Sequence, residues 1–155
     1  MEKDLQNLIE EFIGKTSFGF DEVSISVDDD SGSYWVSIKS SDSKQMIGRH
    51  GETIQAFNYL VKRIVENKYK ENTPRIIFDV NDYQKSRIEK IKTTAYMMAE
   101  RARFFKSRVE LEPMNAFERR IVHEFVSKHD DLDSESSGFG ENRRVVISYK
   151  KKNDD

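Results

Sequence analysis

The residues best suited to chemistry lie in Met46-Ile-Gly-Arg-His-Gly51, where Gly48 and Gly51 bracket a basic pair, Arg49 and His50. An amphipathic stretch begins at the next residue, Glu52. Glycine lets the main chain turn sharply and come close to a ligand. A loop that ends at a helix N-terminus also offers unpaired N–H groups and the positive end of the helix dipole, which together suit a phosphate. Ile47, Gly48, Arg49, His50 and Gly51 are therefore candidates for gripping a nucleic-acid backbone. The plain alternative for the same residues is a structural corner between two helices.

A second set is formed by Arg119 and His123, four residues apart and so on one face of a helix. That spacing suits a paired contact to backbone or base, and it equally admits a histidine packed near Val122 or Val126. Arg120, Arg143 and Arg144 extend the basic character, with solvated surface charge as their alternative reading. Acid–base or metal chemistry finds little support. The three histidines (His50, His123 and His129) show neither His-x-x-x-His nor His-Glu-x-x-His spacing, and there is no cysteine to serve as nucleophile or thiolate ligand. No enzyme activity, metal or cofactor is expected.

With 155 residues, the chain has room for one ordinary domain or two small ones. Its 36% hydrophobic residues describe a folded chain. The absence of cysteine fits a reducing compartment. The N-terminus lacks the apolar centre of a signal peptide, and no apolar run is long enough to span a bilayer, so a soluble, cytoplasmic protein is expected. The net charge of −2 looks unfavourable for nucleic acid, but it is unevenly spread. Residues 1–40 carry three Lys/Arg against nine Asp/Glu, whereas 41–112 carry fifteen against ten and 113–155 eight against nine. The glycine loop thus sits in the basic part, and a basic face on a mildly acidic protein is allowed.

The elements that must position these residues follow from periodicity. Leu5, Leu8, Ile9, Phe12 and Ile13 predict a helix over 3–14. Val23, Ile25 and Val27 alternate with polar residues, as do Tyr34, Val36 and Ile38, and an acidic, glycine-containing turn between them predicts a β-hairpin. A short helix over 43–47 precedes the glycine loop, and Ile54, Phe57, Val61, Ile64 and Val65 form the stripe of the helix after it. Residues 75–80 read as a third strand. Asp82 is the expected N-cap of a long helix whose seam is Ile88, Ile91, Ala95, Met98, Ala102 and Phe105, read as core in preference to a coiled coil. A short strand over 108–111 follows. Asn115 caps a further helix with Phe117, Ile121 and Phe125 as its stripe, residues 129–141 read partly as loop, and 143–149 as a last strand. Tyr34, Trp35 and Tyr59 are aromatics able to stack on bases, with packing as the alternative.

Gly-x-x-Gly between two helices is how K-homology (KH) modules clamp a nucleotide backbone. Gly48-Arg-His-Gly-Glu-Thr-Ile-Gln-Ala-Phe-Asn-Tyr-Leu-Val61, followed by Arg75-Ile-Ile-Phe-Asp-Val80 and Tyr83, resembles the KH part of the bacterial Jag proteins, also called SpoIIIJ-associated or KhpB proteins. Pro113-Met-Asn-Ala-Phe-Glu-Arg-Arg-Ile-Val-His123 and Ser136-Ser-Gly-Phe-Gly-Glu-Asn-Arg-Arg-Val-Val-Ile147 resemble the family's second part, an Arg-x-x-x-His module that binds single-stranded nucleic acid. The resemblance implies an α+β chain with a type II KH domain (α-β-β-α-α-β) at 1–81, joined by a long helix to a small α/β Arg-x-x-x-His domain at 82–150, and a charged tail at 151–155. It implies single-stranded RNA as partner, with a smaller KH-domain protein as a second one, a homo-oligomer allowed, and a role in cell elongation or sporulation. Protein scaffolding and single-stranded DNA binding are the alternatives. Many Jag proteins begin with a further small domain, for which this chain has no room. His50 stands where such loops often carry Arg or Lys, and an imidazole is largely neutral above about pH 6.5.

Overall fold

The computed structural model describes residues 1–151 and divides the chain into two units, Met1–Lys85 and the residues from Ser86 onward. The rest of the expected tail, 152–155, lies outside the described residues. The first unit runs α1 (Glu2–Gly14), β1 (Glu22–Val27), β2 (Tyr34–Lys39), α2 (Ser43–Ile47), α3 (Glu52–Tyr69) and β3 (Ile76–Val80). β1 and β2 form the hairpin, antiparallel with Val23 opposite Ile38 and Ile25 opposite Val36. β3 lies parallel to β2 on its other side, with Phe78 opposite Val36, so the sheet order is β1-β2-β3. Leu5, Ile9 and Ile13 of α1 and Ile54, Val61 and Val65 of α3 bury their stripes in one core with Val36, Ile38 and Phe78. Phe57 stacks on Phe78 at 5.2 Å between ring centres, and Phe12 and Phe18 meet Phe57 edge-on. Asn58, also on α3, accepts from the Phe78 N–H at 3.0 Å and so satisfies a main-chain donor of the outer strand. Alternation fails at one end of the hairpin, since Val27 is exposed next to the turn.

The long helix α4 (Tyr83–Phe105) begins at the end of the first unit. Asp82 is not its cap: its φ of 58° is left-handed rather than the extended conformation of an N-cap residue. The acceptor is Asp79, buried on β3, whose carboxylate takes the N–H groups of Val80, Gln84 and Lys85 at 2.7 to 3.1 Å. Burial pushes the pKa of Asp79 above the usual aspartate value, against the opposing effect of those three bonds.

In the second unit α4 is followed by β4 (Arg108–Glu110), α5 (Ala116–Ser127), β5 (Leu132–Ser137) and β6 (Arg144–Tyr149). All strand pairs are antiparallel and the order is β4-β6-β5. Ile91, Ala95 and Ala102 of the α4 seam enter the core, where they and Ala99, which lies outside the expected seam, meet Val122 and Val126 of α5 and Val145 and Ile147 of β6, while Ile88 and Met98 of the seam are half-buried. Phe105 departs from its expected place in that seam and is exposed. The helix is closing there: Lys106 has φ 50° and Ser107 N–H returns to the Ala102 carbonyl at 3.1 Å.

Two further expectations are corrected. The buried positions of α5 are Glu118, Val122 and Val126, one residue round from the expected stripe, which leaves Phe117, Ile121 and Phe125 half-buried at its edge. The segment over 129–141, read as partly loop with no strand assigned, contains β5, a strand whose sequence Leu-Asp-Ser-Glu-Ser-Ser has one apolar residue. Pairing to the whole of β6, from Leu132 opposite Tyr149 to Ser137 opposite Arg144, supplies what its composition does not.

Candidate nucleic-acid interface

The glycine loop joins α2 to α3 through a short turn at Arg49–Gly51. Gly48 has φ 74°, and a Cβ there would lie 2.1 Å from Thr53 Oγ1, so no other residue fits without displacing the first turn of α3. Gly51, with φ 75°, is buried against the Tyr83 ring. His50 itself sits at φ 53°, a conformation few side-chain-bearing residues adopt. Arg49 and His50 are both exposed, each open to solvent in the turn. No side chain caps α3 at Gly51, so its leading N–H groups have no side-chain cap. Ile47 is half-buried and packs on the core, anchoring the loop from behind. Of the aromatics, Tyr34 and Trp35 are half-buried on β2, and Tyr59 is exposed on α3.

In the second unit the start of α5 is held by a reciprocal cap. Asn115 Oδ1 accepts from Glu118 N–H at 2.9 Å, and Glu118 Oε2 accepts from Asn115 N–H at 3.2 Å. The other Glu118 oxygen accepts from Arg87 Nε of α4 at 2.6 Å, which ties the cap to the neighbouring helix. On the next residue the Arg119 guanidinium donates to the Met114 carbonyl at 2.7 Å. One turn later His123 is held between two hydroxyls of β5, with Nδ1 2.8 Å from Ser134 Oγ and Nε2 2.8 Å from Ser136 Oγ. Burial first, and then the charges of Arg119 and Arg143, lower the pKa of His123 below the ordinary histidine value. At neutral pH the imidazole is therefore a hydrogen-bonding wall and not a cation.

Arg119, His123 and Ser136 line an open groove of about 430 Å³ with Ala116, Arg120, Glu124, Ser127 and Arg143. Arg143 donates to the Gly138 carbonyl at 2.9 Å, which fixes it at the groove end of the β5–β6 connection. Arg120 reaches the groove while paired with Glu124 at 3.3 Å. Arg144 is not among the lining residues; it donates to the Asn142 carbonyl and pairs with Glu110 at 3.7 Å. The groove thus joins a hydrogen-bonded histidine to arginines on two elements, a combination suited to a phosphate with an adjoining sugar or base. No cluster of metal-ligating side chains occurs among the described residues, and no helix there is long and apolar enough to cross a membrane.

Residues 89–149 match the R-three-H domain, named for an arginine and a histidine with three residues between them. This Arg-x-x-x-His domain contains the whole groove, with Arg119 and His123 on one helix and Ser136 and Arg143 at either side of the β5–β6 connection. Over a longer stretch the chain is similar to proteins named RNA-binding protein KhpB. It is 35% identical to that of Clostridium symbiosum over 118 residues, 76% of this chain and 53% of the relative. It is 32% identical to that of Bacillus subtilis strain 168 over 108 residues, 68% of this chain and 51% of the relative. To that of Streptococcus pneumoniae strain D39 it is 32% identical over 110 residues, 71% of this chain and 33% of the relative. The chain thus spans about half the length, or less, of the curated relatives it matches. These matches support the kinship to the Jag and KhpB proteins read from the sequence.

The sequence motifs name Arg119, Arg120, His123 and Arg143 of this groove, and the fold brings these four together. Ser134 and Ser136, which position the imidazole, and Ser127 are not among the expected site residues, although Ser136 opens the second motif. Ser134 and Ser136 are spaced as a strand requires for one face, the single local signal that could have revealed them.

Proposed function

We propose that this chain binds single-stranded RNA without catalysis, its Arg-x-x-x-His domain taking the sugar–phosphate strand in the groove of Arg119, Arg120, His123, Ser136 and Arg143. The observation that carries the reading is the arrangement of Arg119 and Arg143 beside a histidine kept neutral and hydrogen-bonded at both ring nitrogens. Arginine supplies charge-assisted, forked contacts to phosphate, and the neutral imidazole and serine hydroxyls supply contacts that carry no charge. The first unit is read as a type II KH domain. Its element order, the parallel pairing of β3 with β2, and the solvent-facing Arg49-His50 turn between Gly48 and Gly51 support that reading. In it Ile47–Gly51 hold a short run of backbone against the start of α3. Two weak sites on one chain strengthen binding through effective concentration when both engage one strand. The likeness to proteins named for RNA binding favours RNA over single-stranded DNA, and post-transcriptional control linked to cell elongation or sporulation is the role that accompanies it.

The test is a fluorescence-anisotropy titration of a short labelled single-stranded RNA, with Arg119→Ala/Arg143→Ala as the comparison. Removing two cationic groups weakens binding by about tenfold or more. Equal affinity of variant and wild type sinks the groove reading, and competition by the DNA strand of the same sequence decides the sugar.

One observation favours a second reading, a protein-interaction scaffold that associates with another copy or with a smaller KH protein. Tyr96, Met97, Phe104 and Phe105 are all exposed on α4, more apolar surface than scattered single residues present. Sedimentation of Phe104→Ser/Phe105→Ser separates this reading, because only association through that face is lost in the variant.

A further inference from the structure

Phe139 is 90% exposed, more than any other large apolar side chain among the described residues. The connection that carries it is not a frayed tip. Gly138, at φ 88°, leaves β5 in a conformation where a Cβ would lie 2.9 Å from the Asn142 carbonyl. Asn142 N–H returns to the Phe139 carbonyl at 3.2 Å, Arg143 N–H to the Gly140 carbonyl at 3.2 Å, and the Arg143 guanidinium to the Gly138 carbonyl at 2.9 Å. A closed turn stapled by a groove arginine thus holds a phenyl ring in water. Its flanks are both groove residues, Ser136 before it and Arg143 after it.

A phenyl ring has no hydrogen-bonding group, so it offers a partner only an apolar π face, and leaving that face in water is unfavourable. The arginines beside it call for an anion. A ligand that presents phosphates and, a few ångströms away, flat unpaired π faces is a single-stranded nucleic acid. We infer that Phe139 is a base-stacking platform at the end of the Arg-x-x-x-His groove, receiving one unpaired base of an RNA strand whose phosphate lies at Arg119 and Arg143. This rests on the RNA reading proposed above. The platform selects for an unpaired base without selecting its identity, because every base has a π face. It also gives the groove a reason to prefer single strands over duplexes.

The experiment titrates the full chain against a short labelled single-stranded RNA and against a strand of equal length and charge lacking its bases, using Phe139→Ala, Phe139→Leu and Phe139→Trp. Ala and Leu weaken binding to the RNA by about tenfold, the loss expected for one stacked base, whereas Trp binds as tightly as wild type or more so. On the abasic strand all four proteins bind alike. Wild-type affinity in Phe139→Leu, or an equal loss on the abasic strand, overturns the inference, since neither apolar cover nor a structural role needs a base. Thermal melting checks that the variants fold, as a ring so exposed contributes little packing. Arg119→Ala/Arg143→Ala in the same assay separates the two claims. Weakening there with no effect at Phe139 overturns the platform alone, and no effect at either site overturns the groove reading together with it.

Discussion

Arg119 and His123 stand one helical turn apart on α5, and after burial the guanidinium is the leading cause of the lowered imidazole pKa. The pair therefore divides its labour. The arginine brings charge to the groove, and by doing so helps to keep the histidine uncharged. Replacing Arg119 by Gln removes the second-ranked cause and leaves burial and Arg143 in place, so the imidazole pKa rises without returning to the ordinary value. NMR titration of the His123 ring protons in Arg119→Gln and in wild type measures the difference. An unmoved or lower value rules the coupling out.

The same shift makes stability depend on pH in a defined direction. The unfolded imidazole takes up a proton near pH 6.5, and the folded one does so only at lower pH. The stability His123 contributes is thus fully present above about pH 6.5 and is lost progressively as pH falls toward the folded pKa. Urea midpoints measured on either side of pH 6.5 should fall more steeply on acidification in wild type than in His123→Gln, and equal slopes would refute this.

At the start of α5, Asn115→Ala removes one half of the reciprocal cap and costs about 1 kcal/mol. Glu118→Ala costs about 2 kcal/mol, because it removes the other half of the cap and the buried acceptor of the Arg87 bond. Chemical denaturation of the two variants checks the order of the losses as well as their size.

Two glycines at helix ends should behave in opposite ways. Gly48→Ala meets both a left-handed φ and the Thr53 side chain, and loses about 2 kcal/mol or more. Gly14 lies at the end of α1 with nothing within 4 Å of an added Cβ, and Gly14→Ala stays within about 1 kcal/mol of wild type on the stabilising side. Unfolding curves in which both variants behave alike would show that the conformation of the glycine loop is not what holds Gly48.

Arg49→Asp/His50→Asp tests the glycine loop as a phosphate grip. Both side chains reach solvent from the turn, so the urea midpoint should not move, whereas RNA affinity should fall. The dependence of log affinity on log salt should also become shallower by about 0.7 for each phosphate that the loop no longer neutralises. An unchanged salt slope would show that the loop carries no part of the binding.

The outline was legible because its signals are local. α2 at Ser43–Ile47, α3 from Glu52 and the Asn115 cap agree with expectation, each set by neighbouring residues through helical spacing, glycine or a capping side chain. β5 was illegible for the converse reason. Leu-Asp-Ser-Glu-Ser-Ser has no strand composition, and becomes a strand through main-chain bonds to β6 that its own side chains do not announce. Val146 is buried with Val145 and Ile147, although alternation assigns it to the solvent face. Across that face Arg108 of β4 pairs with Glu135 of β5, and Arg144 pairs with Glu110. Long charged side chains cover apolar surface with their stems, an effect that depends on which strands flank β6.

Chain order alone determined that Arg119 and His123 share a helix face and that a basic turn separates Gly48 from Gly51, because both follow from spacing along the backbone. Tertiary structure decided that His123 lies between Ser134 and Ser136, that Arg143 joins the groove while Arg144 turns to Glu110, and that Asp79 rather than Asp82 receives the first N–H groups of α4. Those relationships depend on which strand lies beside which and on where a carboxylate is buried. They arise when distant segments exclude water from one another, a free energy that no local stretch of the sequence contains.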